Sequence, residues 1–531
     1  ACNVRVFFLL GVILSSSLYS QEYRAKIQGI ITDPNTAAIA GARVSLRNTQ
    51  TGVINEKQSE EGGTYRFDFV LPGTYSITVE APGFNKSIRE GITVQTAGDL
   101  TVDIQLVVGN VNDSVTVEAG IAAVEFTTAT MTTTVNGELL KDVPVLARNP
   151  FTLALLDPAV VNRYWDVSHR NPFYMWSSNG LDVGGSTGGK NDMLLDGVPL
   201  GYAARGSYNA PMDAVQEVAV QQNAIDAEYG FSAGGILNLS MKSGTNDLHG
   251  TAYYFGRNPA LNAMTNRINR STSVVRNHIW GAAVGGPIIK NKLFFHSSYE
   301  QWKSTQPQNL IATLPTDLER TGNFSQSLRP DGSIRPIFDP TTTVLAGGIA
   351  TRQPFAGNII PASRIDATGQ KIVNDLWKPN NPGNDLTGID NFRTTYSWWL
   401  KYWNISERVD WNISNKLRFY GRFSRYETRL DNPNYGGTIA VRSDNGGLMD
   451  ALNSAADLLY MASPNTTINF RYGVTYMEDD YDSQWAKVPE SVWANLFPTG
   501  WYKPVLNVLP GIYYPNFGFN GNGSVSSGIG G

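Results

Sequence analysis

Between residues 228 and 258 the alternation of apolar and polar side chains starts, stops and starts again. Leu237, Leu239 and Met241 alternate with Asn238, Ser240 and Lys242, a period of two that predicts a strand with one buried and one wet face. Residues 243–246 interrupt it with Ser-Gly and Asn-Asp turn chemistry, and a strand rich in Tyr and Phe is predicted over 248–255. Downstream, candidates come in pairs around short turns: 277–286 with 293–302, 402–411 with 417–426, and 454–462 with 467–477. Leu417, Phe419 and Phe423 oppose Arg418, Tyr420 and Arg422, while Ile468, Phe470, Tyr472, Val474 and Tyr476 oppose Asn469, Arg471, Gly473 and Thr475. Strands of about nine to eleven residues with one apolar face are what a transmembrane β-barrel requires. The long strand-poor stretch 303–397 then reads as an outer loop, with the short turns at the opposite rim.

Upstream the pattern is denser. Short strands are expected at 26–32, 42–48, 63–69, 73–81 and 100–106, separated by turns such as Asp33-Pro34-Asn35 and Leu71-Pro72-Gly73, a spacing that suits a small antiparallel sandwich. Between sandwich and barrel, 137–246 mixes a short amphipathic helix near 150–156, a glycine-rich loop at 184–190 and an Asp196-Gly197 hairpin turn. The glycine run fails as a phosphate loop, because Asn191 stands where a metal-binding Ser or Thr is needed and no helix follows.

Composition narrows the choice of function. A net charge of −4 with scattered basic residues leaves no footprint for nucleic acid. The four histidines are far apart and lack His-Glu-x-x-His spacing, so no metal, cofactor or catalytic set is expected and the chain does not read as an enzyme. Arg5, the apolar run 6–14 and the small residues 15–20 have the layout of a cleaved export signal, and the only cysteine, Cys2, precedes that run. No later segment offers about 18 consecutive apolar residues, so a membrane crossing is expected through strands alone.

Motifs carry a family likeness. GIITDPNTAAIAGARVSLRNTQTG followed by GGTYRFDFVLPGTYSITVEAPGF resembles the carboxypeptidase regulatory-like domain, a transthyretin-like, carbohydrate-binding-like sandwich. Leu146-Ala147-Arg148-Asn149, LLDGVP, Gln216-Glu217-Val218, Ala227-Glu228-Tyr229-Gly230 and AGGILNLSMKSGTNDLHG resemble the plug of TonB-dependent outer-membrane receptors of the Oar-like branch, with Ala147 where that branch commonly has Gly. RTGNFSQSL, IFDPTTT and PFAGNIIPASRID resemble its barrel. The resemblance implies a mainly β protein: signal 1–20, transthyretin-like β-sandwich 21–109, linker 110–136, α+β plug 137–246, and the first part of an antiparallel barrel over 247–531, seven strands of about 22.

It also implies roles. Asp113, Ser114, Val115, Thr116, Val117, Glu118 and Ala119 resemble a TonB box, although the same stretch also reads as the sandwich's last strand or a spacer. Arg148 and Asn149 are candidates to join plug and barrel wall, with a self-satisfied loop pair as the alternative. Trp165, Tyr174 and Trp176 are candidates to face a ligand, and Trp398, Trp399 and Trp403 to form an interfacial girdle, with core packing or lipid anchoring as the alternatives. The implied partners are TonB with ExbB and ExbD, outer-membrane lipid, and a large ligand such as a glycan, metal chelate or peptide. Export of protein or peptide, and a soluble surface adhesin built of β domains, are the competing readings.

Overall fold

In a computed structural model, the residues described are 22–109, 114–118, 130–137, 139, 145, 148–162, 181–185, 190–202, 205–206, 208–222, 232, 234–266, 271–272, 274–431, 447–463, 466–480, 491, 494–495, 517–518 and 524–525. The sandwich contains β1 (Ala25–Thr32), β2 (Arg43–Asn48), β3 (Ile54–Gln58), β4 (Thr64–Val70), β5 (Gly73–Glu80), β6 (Lys86–Val94), β7 (Asp99–Thr101) and β8 (Ile104–Gln105). One sheet runs β4-β1-β7, with β8 also on β1, and the other runs β3-β2-β5-β6-β9, where β9 is Ser114–Glu118. Alternation places Ile27, Ile31, Val44, Leu46, Ile77 and Val79 between the sheets, all without measurable exposure. At Gly29 the space for a side chain is already taken, since a Cβ would lie 2.0 Å from the Val102 carbonyl oxygen. The sequence reading missed β3 and β6. Both are interrupted by charge: β3 is an edge strand of sequence INEKQ, and β6 carries Arg89 and Glu90 at its centre.

The central module has β10 (Met131–Val135), β11 (Val160–Asn162), β12 (Leu181–Val183), β13 (Asp192–Leu195), β14 (Val198–Pro199), β15 (Gly201–Tyr202), β16 (Arg205–Gly206), β17 (Val215–Gln222) and β18 (Gly235–Met241). Its main sheet is ordered β10-β17-β18-β13-β14, with β13 parallel to β18. The helix expected near 150–156 is a 3-10 helix, Pro150–Leu156, begun by a proline in its first turn. Asp196 and Gly197 both have positive φ, 49° and 75°, as a two-residue hairpin turn with the twist of its strands demands. The expectation of a wet face on β18 is corrected, because all seven of its positions are buried and Asn238 and Ser240 are 0% and 1% exposed. The strand is covered on both sides.

The cover on the apolar side is the third module. β19 (His249–Arg257), β22 (Arg276–Ile289), β23 (Leu293–Ala312), β26 (Phe392–Asn412), β27 (Leu417–Asp431), β28 (Gly447–Ser463) and β29 (Thr466–Asp480) form a seven-stranded antiparallel meander in chain order. The minor hairpins β20/β21 (Met264–Asn266, Ser271–Thr272) and β24/β25 (Val344–Ala346, Ile349–Thr351) project from its loops. Trp302, Tyr402, Tyr426 and Ala451 of this wall complete one hydrophobic cluster with Phe151, Leu195, Tyr208, Leu237 and Leu239 of the central module. Among the described residues, the core of the central module is completed by the wall.

The other face of the wall is turned outward and apolar. Ile468, Phe470, Tyr472, Val474 and Tyr476 lie open, while Arg471, between two of them, is buried. The stretch 303–397 is corrected as well: β23 runs on to Ala312 and β26 begins at Phe392, so the loop proper is 313–391. It is folded. The buried Arg320 guanidinium donates to the carbonyls of Val373, Leu376 and Trp377, Asn391 exchanges two hydrogen bonds with the backbone of Leu314, and Trp377 stacks on Phe392 at 4.6 Å.

Candidate functional site

The side chains joining the central module to the wall cluster in two places. Arg148, held at φ 47°, sends Nε to Glu300 Oε2 at 2.7 Å and Nη2 to Asp213 Oδ2 at 2.5 Å. Its guanidinium lies over the rings of Tyr253 (4.4 Å) and Phe255 (5.1 Å), so the cation is enclosed by wall carboxylate and wall aromatics. Glu300 has no exposure, and Tyr253 Oη and Trp302 Nε1 also donate to it, at 2.7 and 2.9 Å. Burial disfavours the Arg148 charge, yet Glu300, Tyr253 and Asp213 beside it hold its pKa above the ordinary range. Asn149 accepts from Phe151 N at 3.0 Å and so caps the 3-10 helix that follows.

The second cluster was not anticipated. Asp196, fully buried at the tip of the β13–β14 hairpin, sits between Arg408 of β26 (3.3 Å) and Arg422 of β27 (3.0 Å, off the hydrogen-bonding line). The same carboxylate accepts from Met241 N at 2.9 Å. Arg408 also grips Asp410 through two 2.9 Å contacts, Asp410 takes the Ser243 hydroxyl at 2.7 Å, and Arg422 reaches the Leu195 carbonyl at 3.2 Å. Beyond the hairpin, Thr475 donates to Pro199 O, and Gly473 leaves room for Val198, whose Cγ1 would stand 2.6 Å from a Cβ there. Charged side chains on the inner face of a wall need counter-charges from whatever fills it. That signal was present in Arg408, Arg418 and Arg422, but nothing local tied it to Asp196.

Of the other candidates, Ser114–Glu118 is β9, paired in parallel with Lys86–Glu90 at the edge of the sandwich sheet. Asp113, Ala119, Trp165, Tyr174 and Trp176 lie outside the described residues. Trp399 is exposed on β26 and Trp403 stands under the Arg425 guanidinium at 5.9 Å. At the short-turn end a cavity of about 720 Å³ opens between the three modules, lined among others by Tyr75, Glu217, Lys242, His296, Arg408 and Arg418. Among the described residues no three His, Cys, Asp or Glu side chains come together as a metal site.

An outward apolar face, an inward charged face and a packed module between them define a membrane-barrel wall with its filling. The chain belongs to the outer membrane beta barrel domain family, whose model matches residues 240–530. Residues 26–107 match the carboxypeptidase regulatory-like domain. The chain is 24% identical over 328 residues to the TonB-dependent transporter Oar of Myxococcus xanthus, covering 57% of this chain and 29% of that protein. The sandwich region is 37% identical over 89 residues to the carboxypeptidase N catalytic chain of Mus musculus, 17% of this chain and 18% of that one. Among solved structures, the outer membrane transporter YddB from Escherichia coli aligns over 66% of this chain and 40% of its own, with 10% identity and a TM-score of 0.39. The chain thus spans less than a third of the Oar protein it matches.

Proposed function

We propose that the full-length protein is a TonB-dependent outer-membrane transporter, with residues 1–20 as its export signal and the central module, 137–246, as its plug. One observation carries the reading: a wall with lipid-suited aromatics outside holds a module inside by buried ion pairs, Arg148 with Glu300 and Asp196 with Arg408 and Arg422. Such pairs are costly to bury and fix one geometry, which suits a part that must seat uniquely and yield to force. Ligand, of the glycan, metal-chelate or peptide class, would bind at the loop end, with Trp165, Tyr174 and Trp176 facing it. TonB, energised with ExbB and ExbD, would engage residues 113–119 by strand addition. The strand form of β9 supports this, since its outer edge has no neighbour among the described strands. No covalent chemistry belongs to the mechanism. Whatever the ligand contributes acts by favouring one plug arrangement over another.

The experiment is deletion of 113–119 in the full-length protein, read by capture on the immobilised periplasmic domain of TonB and by outer-membrane fractionation. Lost capture with intact outer-membrane recovery is expected. Undiminished capture sinks the assignment of the box, and recovery in the soluble periplasm sinks the transporter reading in favour of a soluble adhesin. Import and export share this architecture, and cargo assays run in both directions separate them.

A further inference from the structure

We propose that the sandwich is a clamp bolted across the junction of plug and wall, holding the plug shut from the short-turn side until it is pulled away. This rests on the plug reading above and adds a part to it. Three sets of contacts converge on the sandwich. To the plug, Thr96 donates from N and Oγ1 to Glu217 Oε2 at 2.8 and 2.9 Å, and Thr96 Oγ1 stands 2.9 Å from Ser240 Oγ. To the junction itself, Asn246 N donates to Gln50 O at 3.1 Å and Asn246 Nδ2 to Thr51 O at 2.8 Å, while Asn246 Oδ1 accepts from Asn291 N in the β22–β23 turn at 2.8 Å. To the wall, Arg24 pairs with Asp457 at 3.1 Å and Glu22 with Arg471 at 3.4 Å, while Arg471 and Asp457, both of the wall, pair with each other at 2.7 Å.

The contacts to plug and wall are deeply buried, with Thr96 at no exposure, Ser240 1%, Asp457 2%, and Arg24 and Arg471 5% each, whereas the junction set is open to water at Gln50 and Asn291. Buried polar partners are costly to separate, because each is left unsatisfied unless water replaces the other. β18 and the wall strands both bond to the same body, so the plug cannot shift against the wall without breaking one set. Between sandwich, plug and wall a cavity of about 720 Å³ remains. A pull delivered at β9 loads the sandwich through the β6 pairing.

The test measures KCl conductance of the full-length protein in planar bilayers as urea is raised, so that no cargo is needed. In Thr96→Cys/Ser240→Cys, the oxidised protein should open at higher urea and return to the wild-type point with reductant. In Glu22→Gln/Asp457→Asn, Arg24 and Arg471 lose their counter-charges, and the open-to-closed ratio at the wild-type midpoint should rise at least about tenfold. A clamp is overturned if the oxidised protein, its disulfide verified by mass spectrometry, opens at the wild-type point, or if the two cysteines do not oxidise. Conductance before any urea is added, in the wild-type protein, would instead overturn the plug reading.

Discussion

The sandwich and the wall obey the same two-residue alternation with opposite sense. In β2, Val44 and Leu46 point inward and Arg43 lies in solvent; in β29, Phe470 and Tyr472 point outward and Arg471 is buried between them. Alternation reports the pleat of a strand and nothing about its surroundings. The side on which the charges lie reports the solvent: water around the sandwich, lipid around the wall. The same difference sets what an ion pair is worth, since Arg43–Glu56 is bathed in water and Asp196–Arg422 is sealed.

The two environments differ most at Asp196. Asp196→Asn keeps the shape and tolerates the positive φ, but leaves Arg408 and Arg422 facing a neutral amide. Urea unfolding of the full-length protein should show a loss of about 3–5 kcal/mol, whereas Glu56→Ala in the exposed pair should cost no more than about 1 kcal/mol. Equal losses would mean that the two environments are not different. Next comes Phe470→Arg, half exposed on the outer face, which should cost about 2–4 kcal/mol if that face meets the bilayer midplane. A surface facing water would tolerate it within about 0.5 kcal/mol, and folding into lipid vesicles measures the difference.

The smallest effect is one of pH. Burial raises the Glu22 pKa, but Arg24 and Arg471 outweigh it and hold the carboxyl at about 2, below the ordinary 4.5. Its contribution to docking is therefore complete above pH 4.5 and lost as pH falls toward 2. Glu217 has the opposite sign. Burial raises its pKa against the Thr96 hydrogen bonds, so protonation relieves a buried charge rather than breaking a pair. Hydrogen exchange of β1 against acid should show protection falling across that window, and Glu22→Gln should abolish the dependence.

Much of this was legible beforehand because it is local. The hairpin at Asp196-Gly197, the five anticipated sandwich strands and the seven wall strands each announce themselves within about ten residues, through turn chemistry or alternation. The strand ends were not legible: β23 and β26 run beyond the apolar alternation into Ser304, Thr305, Gln306 and Gln308, where backbone pairing persists without an apolar face to mark it. The burial of Asn238 and Ser240 was hidden for another reason. Polar alternation predicts a wet face only when nothing else docks there, and Ser240 meets Thr96 from a module 144 residues away. The pairing of Asp196 with Arg408 and Arg422 spans 212 and 226 residues, so spacing could not reveal it.

β23 and β26 are 20 and 21 residues long, and their register is anchored at the short-turn end by Leu293 opposite Trp411. At about 3.3 Å per residue and a tilt near 40°, such strands rise about 50 Å, roughly twice the ~25 Å apolar band of an outer-membrane barrel. All the surplus lies at the other end. The folded segment 313–391 thus stands on a parapet some 25 Å high, and a bulky visitor would touch the protein well before touching the membrane.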